Sequence, residues 1–194
     1  MKIGIYGGCF NPPHKMHKKI AQLLIKEGYI DKVIYVPTAD TYDKKDLAPF
    51  VKRVKMLNLM VDNVDMLVSD ICKAGEYSYT YQVLDYYKEK YKDATLYFIC
   101  GTDNLNYLYK WKEYKYILEN YKILVVIRNN DDIEKILDKY VDFKNNIKLA
   151  NIEPSNVSST IIRKHIKDNE YEKLNGLIDE KIVEYIKKSG LYKV

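Results

Sequence analysis

Long apolar runs are missing from this chain. No uninterrupted hydrophobic stretch approaches the roughly 20 residues of a membrane-spanning helix, and the first residues run straight into KIGIY without an apolar leader. Neither a membrane protein nor a secreted one is expected, and the expected location is the cytoplasm. Cysteine is scarce: Cys9, Cys72 and Cys100 are odd in number and show no CxxC spacing, which argues against a disulfide framework or a zinc knuckle and reads as reduced thiols. Charge of one sign is not concentrated anywhere. The net charge is +5, with Lys interleaved among Asp and Glu, so a small anionic molecule is favoured over a nucleic-acid polymer. Internal repeats, low-complexity tracts and long linkers are absent too.

What is present is a pattern of short apolar runs: KIGIY (2–6), KVIYVP (32–37), DMLVSD (65–70), ATLYFIC (94–100), KILVVIR (122–128) and a weaker NIKLANI (146–152). Consecutive apolar positions mark strands covered on both faces. Segments of helical spacing lie between them, at 15–27, 49–62, 79–91, 104–120 and 131–140. Alternating strand and helix predicts parallel βαβ units in a doubly wound, mainly parallel Rossmann-like α/β sheet. SSTIIRKHIKDN and DEKIVEYIKKSG then follow as helices without strands, a small C-terminal helical subdomain. The expected division is a nucleotide-binding core over 1–155 and a helical piece over 156–194, integrated as one domain. The twenty tyrosines match a codon bias and carry no functional weight.

In such a sheet ligands bind beyond the carboxyl ends of the strands, which directs attention to GGCFNPPHKMH, residues 7–17. Neither GxxxxGK[ST] nor GxGxxG fits it. What remains is a strand, a Gly7–Gly8 turn, an Asn-Pro-Pro bend and a helix whose first turn carries His14 and His17. Helix N-termini present N–H groups and a positive dipole end, and imidazoles add donors, so the corner reads as a phosphoryl-binding wall. An isolated HxxH is more often a surface feature; the preceding buried strand tips the balance. A metal site lacks a third ligand at suitable spacing. SSTIIR, residues 158–163, places Ser158 or Ser159 as a helix cap, with Thr160 and Arg163 directed at a shared anion; on its own it is equally an ordinary capped helix. Asp103, after the fourth apolar run, either accepts from ribose hydroxyls or caps a helix, and Trp111 either stacks on a flat ring or packs in the core. Arg53 reads as solvated surface, and Arg128 as site cation or surface alike.

HKMH resembles the (H/T)xxH signature of the nucleotidyltransferase superfamily of adenylyl- and cytidylyltransferases, with Met16 where many members carry glycine. VSSTIIR is similar to the superfamily's second signature, and GTDNL…W and SYTYQVL resemble segments of the nicotinate mononucleotide adenylyltransferases. The resemblance implies adenylyl transfer from ATP to nicotinate mononucleotide, with Mg²⁺ carried on ATP and no protein metal cage. It implies His14 and His17 as catalytic residues. ATP would be bound by these and by Gly7, Gly8, Cys9, Phe10, Gly101, Asp103, Arg128, Ser158, Ser159, Thr160 and Arg163. Tyr79, Thr80 and Trp111 would enclose the pyridine. The family's PPHK loop is replaced here by PTADTYDKKDLAPF, leaving Lys44 or Lys45 to supply its basic function. The competing expectations are phosphopantetheine adenylyl transfer and a non-catalytic nucleotide- or RNA-binding module. A homo-oligomer is compatible with the sequence, which does not determine it.

Overall fold

The apolar run that opens the chain alternates between two cores. Ile3 and Ile5 point into one hydrophobic cluster and Tyr6 into the other, because successive side chains of a strand face opposite sides of its sheet. The second and fifth apolar runs divide in the same way: Val33 and Tyr35 from Ile34 and Val36, and Leu124 and Val126 from Ile123 and Val125. A sheet buried on both faces results.

In the computed structural model, which describes residues 1–41, 46–127, 132–152 and 157–193, the strands are β1 (Lys2–Gly8), β2 (Lys32–Pro37), β3 (Met66–Val68), β4 (Thr95–Gly101), β5 (Lys122–Ile127) and β6 (Ile147–Asn151). They form one sheet in the order β3-β2-β1-β4-β5-β6, and every pairing is parallel. The helices α1 (Lys15–Lys26), α2 (Phe50–Met60), α7 (Ser159–Lys167) and α8 (Glu180–Ser189) contribute Ile20, Leu24, Met56, Leu57, Ile162, Ile166, Ile182 and Ile186 to one core. On the other face lie α3 (Thr80–Lys90), α4 (Thr102–Tyr107), α5 (Tyr114–Asn120) and α6 (Ile133–Leu137), through Val83, Leu84, Leu105, Ile117, Leu118 and Ile136. The C-terminal helices thus share a core with α1 and α2. Truncating a wholly buried member such as Ile20, 0% exposed, to alanine is worth about 2–5 kcal/mol of stability.

Two expected helices are divided. The segment 104–120 is α4, a 3₁₀ turn at Leu108–Lys110, an extended Trp111 and α5, with Glu113 at φ 57° before α5. Trp111 packs edge-on to Phe98, with ring centroids 5.7 Å apart. Among the described residues of 131–140, only Ile133–Leu137 is α-helical, followed by 3₁₀ structure over Asp138–Asn146; Tyr140 is buried there and donates to the Leu105 carbonyl. In both places tertiary packing of an aromatic side chain overrides helical spacing. The third strand is a three-residue edge strand, shorter than the expected 65–70.

Candidate active site

The chain order reverses between β1 and β4, the topological switch point at which an open parallel sheet leaves a crevice for ligand. Gly7, Gly8 and Gly101 end these two strands. Gly7 and Gly8 are not themselves a turn: they are the last strand residues of β1, and the positive φ falls on Phe10, at 46°. Their value is size. A Cβ on Gly7 would stand 3.1 Å from the Phe98 ring, and one on Gly8 3.2 Å from Phe10.

After Phe10 the chain passes a cis Asn11–Pro12 bond to His14, which caps α1. The His14 N–H donates to His17 Nδ1 at 3.1 Å, and the two rings stack with centroids 3.7 Å apart. An Nδ1 that accepts fixes the neutral ring in the tautomer bearing its proton on Nε2. His17 is therefore held as an Nε2–H donor at the positive end of a helix that has no acidic residue in its first turn. One of the N–H groups in that turn is already used: Lys15 N donates to Leu177 O at 3.0 Å.

The second signature packs against this turn through bonds that span 147 and 152 residues of chain. Ser158 is the cap of α7, accepting from Ile161 N at 3.3 Å. The Ser159 hydroxyl donates to Pro12 O at 2.9 Å, and Arg163 Nη1 donates to Asn11 O at 2.9 Å. Thr160 is exposed at the helix start. The histidines, Ser158, Ser159, Thr160 and Arg163 are thereby brought together at one corner. Asp103 is exposed in the first turn of α4, directly after Gly101.

A cleft of about 360 Å³ opens beside this corner, over the ends of β1, β2 and β4, within the range of small-molecule pockets. Gly7, Thr38, Ala39, Cys72, Tyr79, Thr80 and Phe98 are among its walls, and no charged side chain lines it among the described residues. Burial pushes the Cys72 thiol up to about 11, which makes it a poor nucleophile. Tyr79 and Thr80 are on its wall. Trp111 is not among the residues that line the cleft; it packs edge-on to Phe98, which is. Lys44, Lys45 and Arg128 lie outside the described residues. Three His, Cys, Asp or Glu side chains grouped as a metal cage do not occur among the described residues.

Arg53 overturns the expectation of solvated surface. It is 0% exposed, and its guanidinium donates to main-chain carbonyls of the segments around the cleft. Thr38, Ala39 and Phe98 are cleft walls that no sequence motif marks: Thr38 and Ala39 directly follow the end of β2, and Phe98 lies in the middle of β4.

A parallel sheet of this strand order, with a histidine-bearing helix N-terminus at its switch point, defines a nucleotide-handling α/β protein. A family model described as cytidylyltransferase-like matches residues 5–165, and the chain belongs to that family. It is 38% identical over 200 residues to a Clostridium acetobutylicum protein named "Probable nicotinate-nucleotide adenylyltransferase", covering 98% of both chains. Among solved structures, Plasmodium falciparum nicotinic acid mononucleotide adenylyltransferase complexed with NaAD superposes with a TM-score of 0.84 at 26% identity, covering 98% of this chain and 97% of the other. The same protein complexed with APC gives 0.81 at 25% identity, covering 98% and 96%. No helix among the described residues is long and apolar enough to cross a membrane.

Proposed function

We infer that this protein transfers the adenylyl group of ATP to nicotinate mononucleotide, giving nicotinate adenine dinucleotide and pyrophosphate. The observation that carries the reading is the stacked His14–His17 pair at the start of α1, next to Asn11 and Pro12, whose carbonyls accept from Arg163 and Ser159 of α7, beside a cleft with no charged side chain among the described residues that line it. It is supported by the family and by relatives of that activity over nearly the whole chain.

The chemistry asks little covalent work of the protein. A phosphate oxygen of the mononucleotide attacks the α-phosphorus of ATP, a P–O bond forms, and the bond to the bridging oxygen of the β-phosphate breaks with its electron pair leaving on pyrophosphate. Catalysis then consists of holding two anions in line and neutralising charge as it develops. His17, with its proton on Nε2, donates to the α-phosphate oxygens; His14 caps the helix and holds the His17 ring. Arg163 spends one N–H on Asn11 and directs its remaining fork, together with the N-terminus of α7, at the phosphates that leave. Gly7, Gly8, Cys9 and Phe10 bring main chain against ATP, and Gly101 and Asp103 meet its ribose. The cleft takes the pyridine, with Tyr79 and Thr80 on its wall. Mg²⁺ enters as part of the ATP substrate, liganded by phosphate and water. The cytoplasm, with no nucleic-acid polymer or membrane as partner, belongs to the same reading.

Pyrophosphate release with ATP and each of nicotinate mononucleotide, nicotinamide mononucleotide and phosphopantetheine is the test. Release led by nicotinate mononucleotide is expected. Release only with phosphopantetheine, or with none of the three, overturns the reading.

A further inference from the structure

Among the described residues Arg53 is the only Lys or Arg that is buried. Burying a guanidinium is costly unless its donors are matched, and where only volume is needed an apolar side chain serves at least as well. Here the matching is thorough: Nε donates to Ala48 O at 2.7 Å, Nη1 to Cys9 O at 3.1 Å, and Nη2 to Thr38 O at 2.7 Å and to Asp40 Oδ1 at 3.0 Å. These acceptors belong to three separate pieces of chain, namely the turn after β1, the segment after β2 and the approach to α2.

Asn11, 1% exposed, joins two of the same pieces a second time. Its Oδ1 accepts from Ala48 N at 3.0 Å, and its Nδ2 donates to Asp46 O at 2.8 Å. From the end of the chain, the Tyr192 hydroxyl also donates to Asn11 Oδ1, at 2.8 Å. Thr38 lines the cleft, and Cys9 follows Gly7 and Gly8 directly. The guanidinium therefore spans the gap between the turn beside the histidines and the wall of the pyridine cleft.

Resting on the adenylyl-transfer reading, we propose that Arg53, assisted by Asn11 and Tyr192, is a positioning residue for the reaction. It sets the separation between the turn that carries ATP and the wall that carries the mononucleotide, and with it the approach of the attacking oxygen to the α-phosphorus. A planar fork is needed because Nε, Nη1 and Nη2 donate from three separate atoms to four acceptors, whereas the three donors of an ammonium all radiate from one nitrogen.

The test compares the full-length parent with Arg53→Lys, which keeps the charge and much of the volume, and with Tyr192→Phe, which removes one donor from the edge of the same network. In folded Arg53→Lys, kcat is expected to fall on the order of 10- to 100-fold, the size of effect that a small misplacement of reacting groups produces, with a smaller fall in Tyr192→Phe. Ile136→Val, in a distant helix, serves as the stability control: it lowers the melting temperature and leaves kcat unchanged. Amide hydrogen exchange without any substrate is read alongside. Residues 9–11 and 46–48 should lose protection together in Arg53→Lys. Parent-like kcat in folded Arg53→Lys, or exchange rising in only one of the two segments, overturns the proposal. If Arg53→Lys does not fold, Tyr192→Phe decides it: a lowered kcat upholds the clamp, and a parent-like one removes it. A parent inactive toward nicotinate mononucleotide defeats the adenylyl-transfer reading instead, while the exchange data still judge the clamp.

Discussion

The two sides of the site are built in different ways. On the histidine side, the carbonyls of Cys9, Asn11 and Pro12 accept from Arg53, Arg163 and Ser159, donors 44, 152 and 147 residues away. On the cleft side, the segment leading into α3 is held by its own neighbours: Ser78 N and Tyr79 N donate to Gln82 Oε1, and the Ser78 hydroxyl to Gly75 O. Tyr79 is 46% exposed, stacked on Tyr81 and covered by the Lys112 ammonium, 4.5 Å from its ring centroid. Long-range bonds remove relative motion between elements, whereas local bonds shape a turn and leave it free to move as a unit. A phosphoryl transfer that depends on alignment needs the first kind; a flat ring needs only a wall to lie against. Damage to the histidine side should therefore appear in kcat, and damage to the cleft side in the KM of the mononucleotide.

The largest expected effect comes from His17→Ala. With its Nε2 donor gone, kcat should drop by roughly 100-fold or more while the circular dichroism spectrum stays that of the parent, and near-parental turnover in the folded variant would remove the histidine from the mechanism. Next comes Arg163→Ala. Loss of a charge-assisted donor of about 1.5–3 kcal/mol corresponds to roughly 10- to 150-fold in kcat/KM for ATP, with lysine restoring only part; if ATP is bound and used as by the parent, VSSTIIR is only a capped helix. Third is the choice of pyridine. A carboxamide facing donors set for a carboxylate leaves one polar contact unmatched, so kcat/KM for nicotinate mononucleotide should exceed that for the nicotinamide form by at least about tenfold. Equal use of the two would show that the cleft does not read the carboxylate. The smallest effect is that of Trp111→Ala. Because Trp111 packs against Phe98 of the cleft wall, its loss should raise the KM of the mononucleotide by about 2- to 12-fold, the worth of one aromatic pair, with ATP affinity nearly unchanged. A variant impaired chiefly in ATP binding would erase the contrast between the two sides.

How much of this was legible in the chain depends on the range of the interaction. HKMH and SSTIIR are local: a cap, a first turn and a donor one turn on lie within a few residues and leave a pattern of residue types. Arg53 leaves none, since three of its four acceptors are main-chain carbonyls, which every residue possesses. Gly4 is similar. A Cβ there would stand 2.5 Å from Ile99 Cδ1 of the neighbouring strand, a close approach that exists only once β1 and β4 are paired. The break in 104–120 is not legible because helical spacing continues through Trp111, while the contact that accompanies the break, with Phe98, lies on another element.

The sequence by itself determined the alternation of strands and helices, the burial of the sheet on both faces and the helix starts at His14 and Ser158, because hydrophobic period and capping act over a few residues. Tertiary structure alone decided that those two starts meet at Asn11–Pro12, that a buried arginine ties the histidine turn to the cleft wall, and that Trp111 packs on Phe98, a wall of the cleft. Each of these is a distance between segments remote in the chain, set by strand order and by backbone carbonyls that carry no residue code.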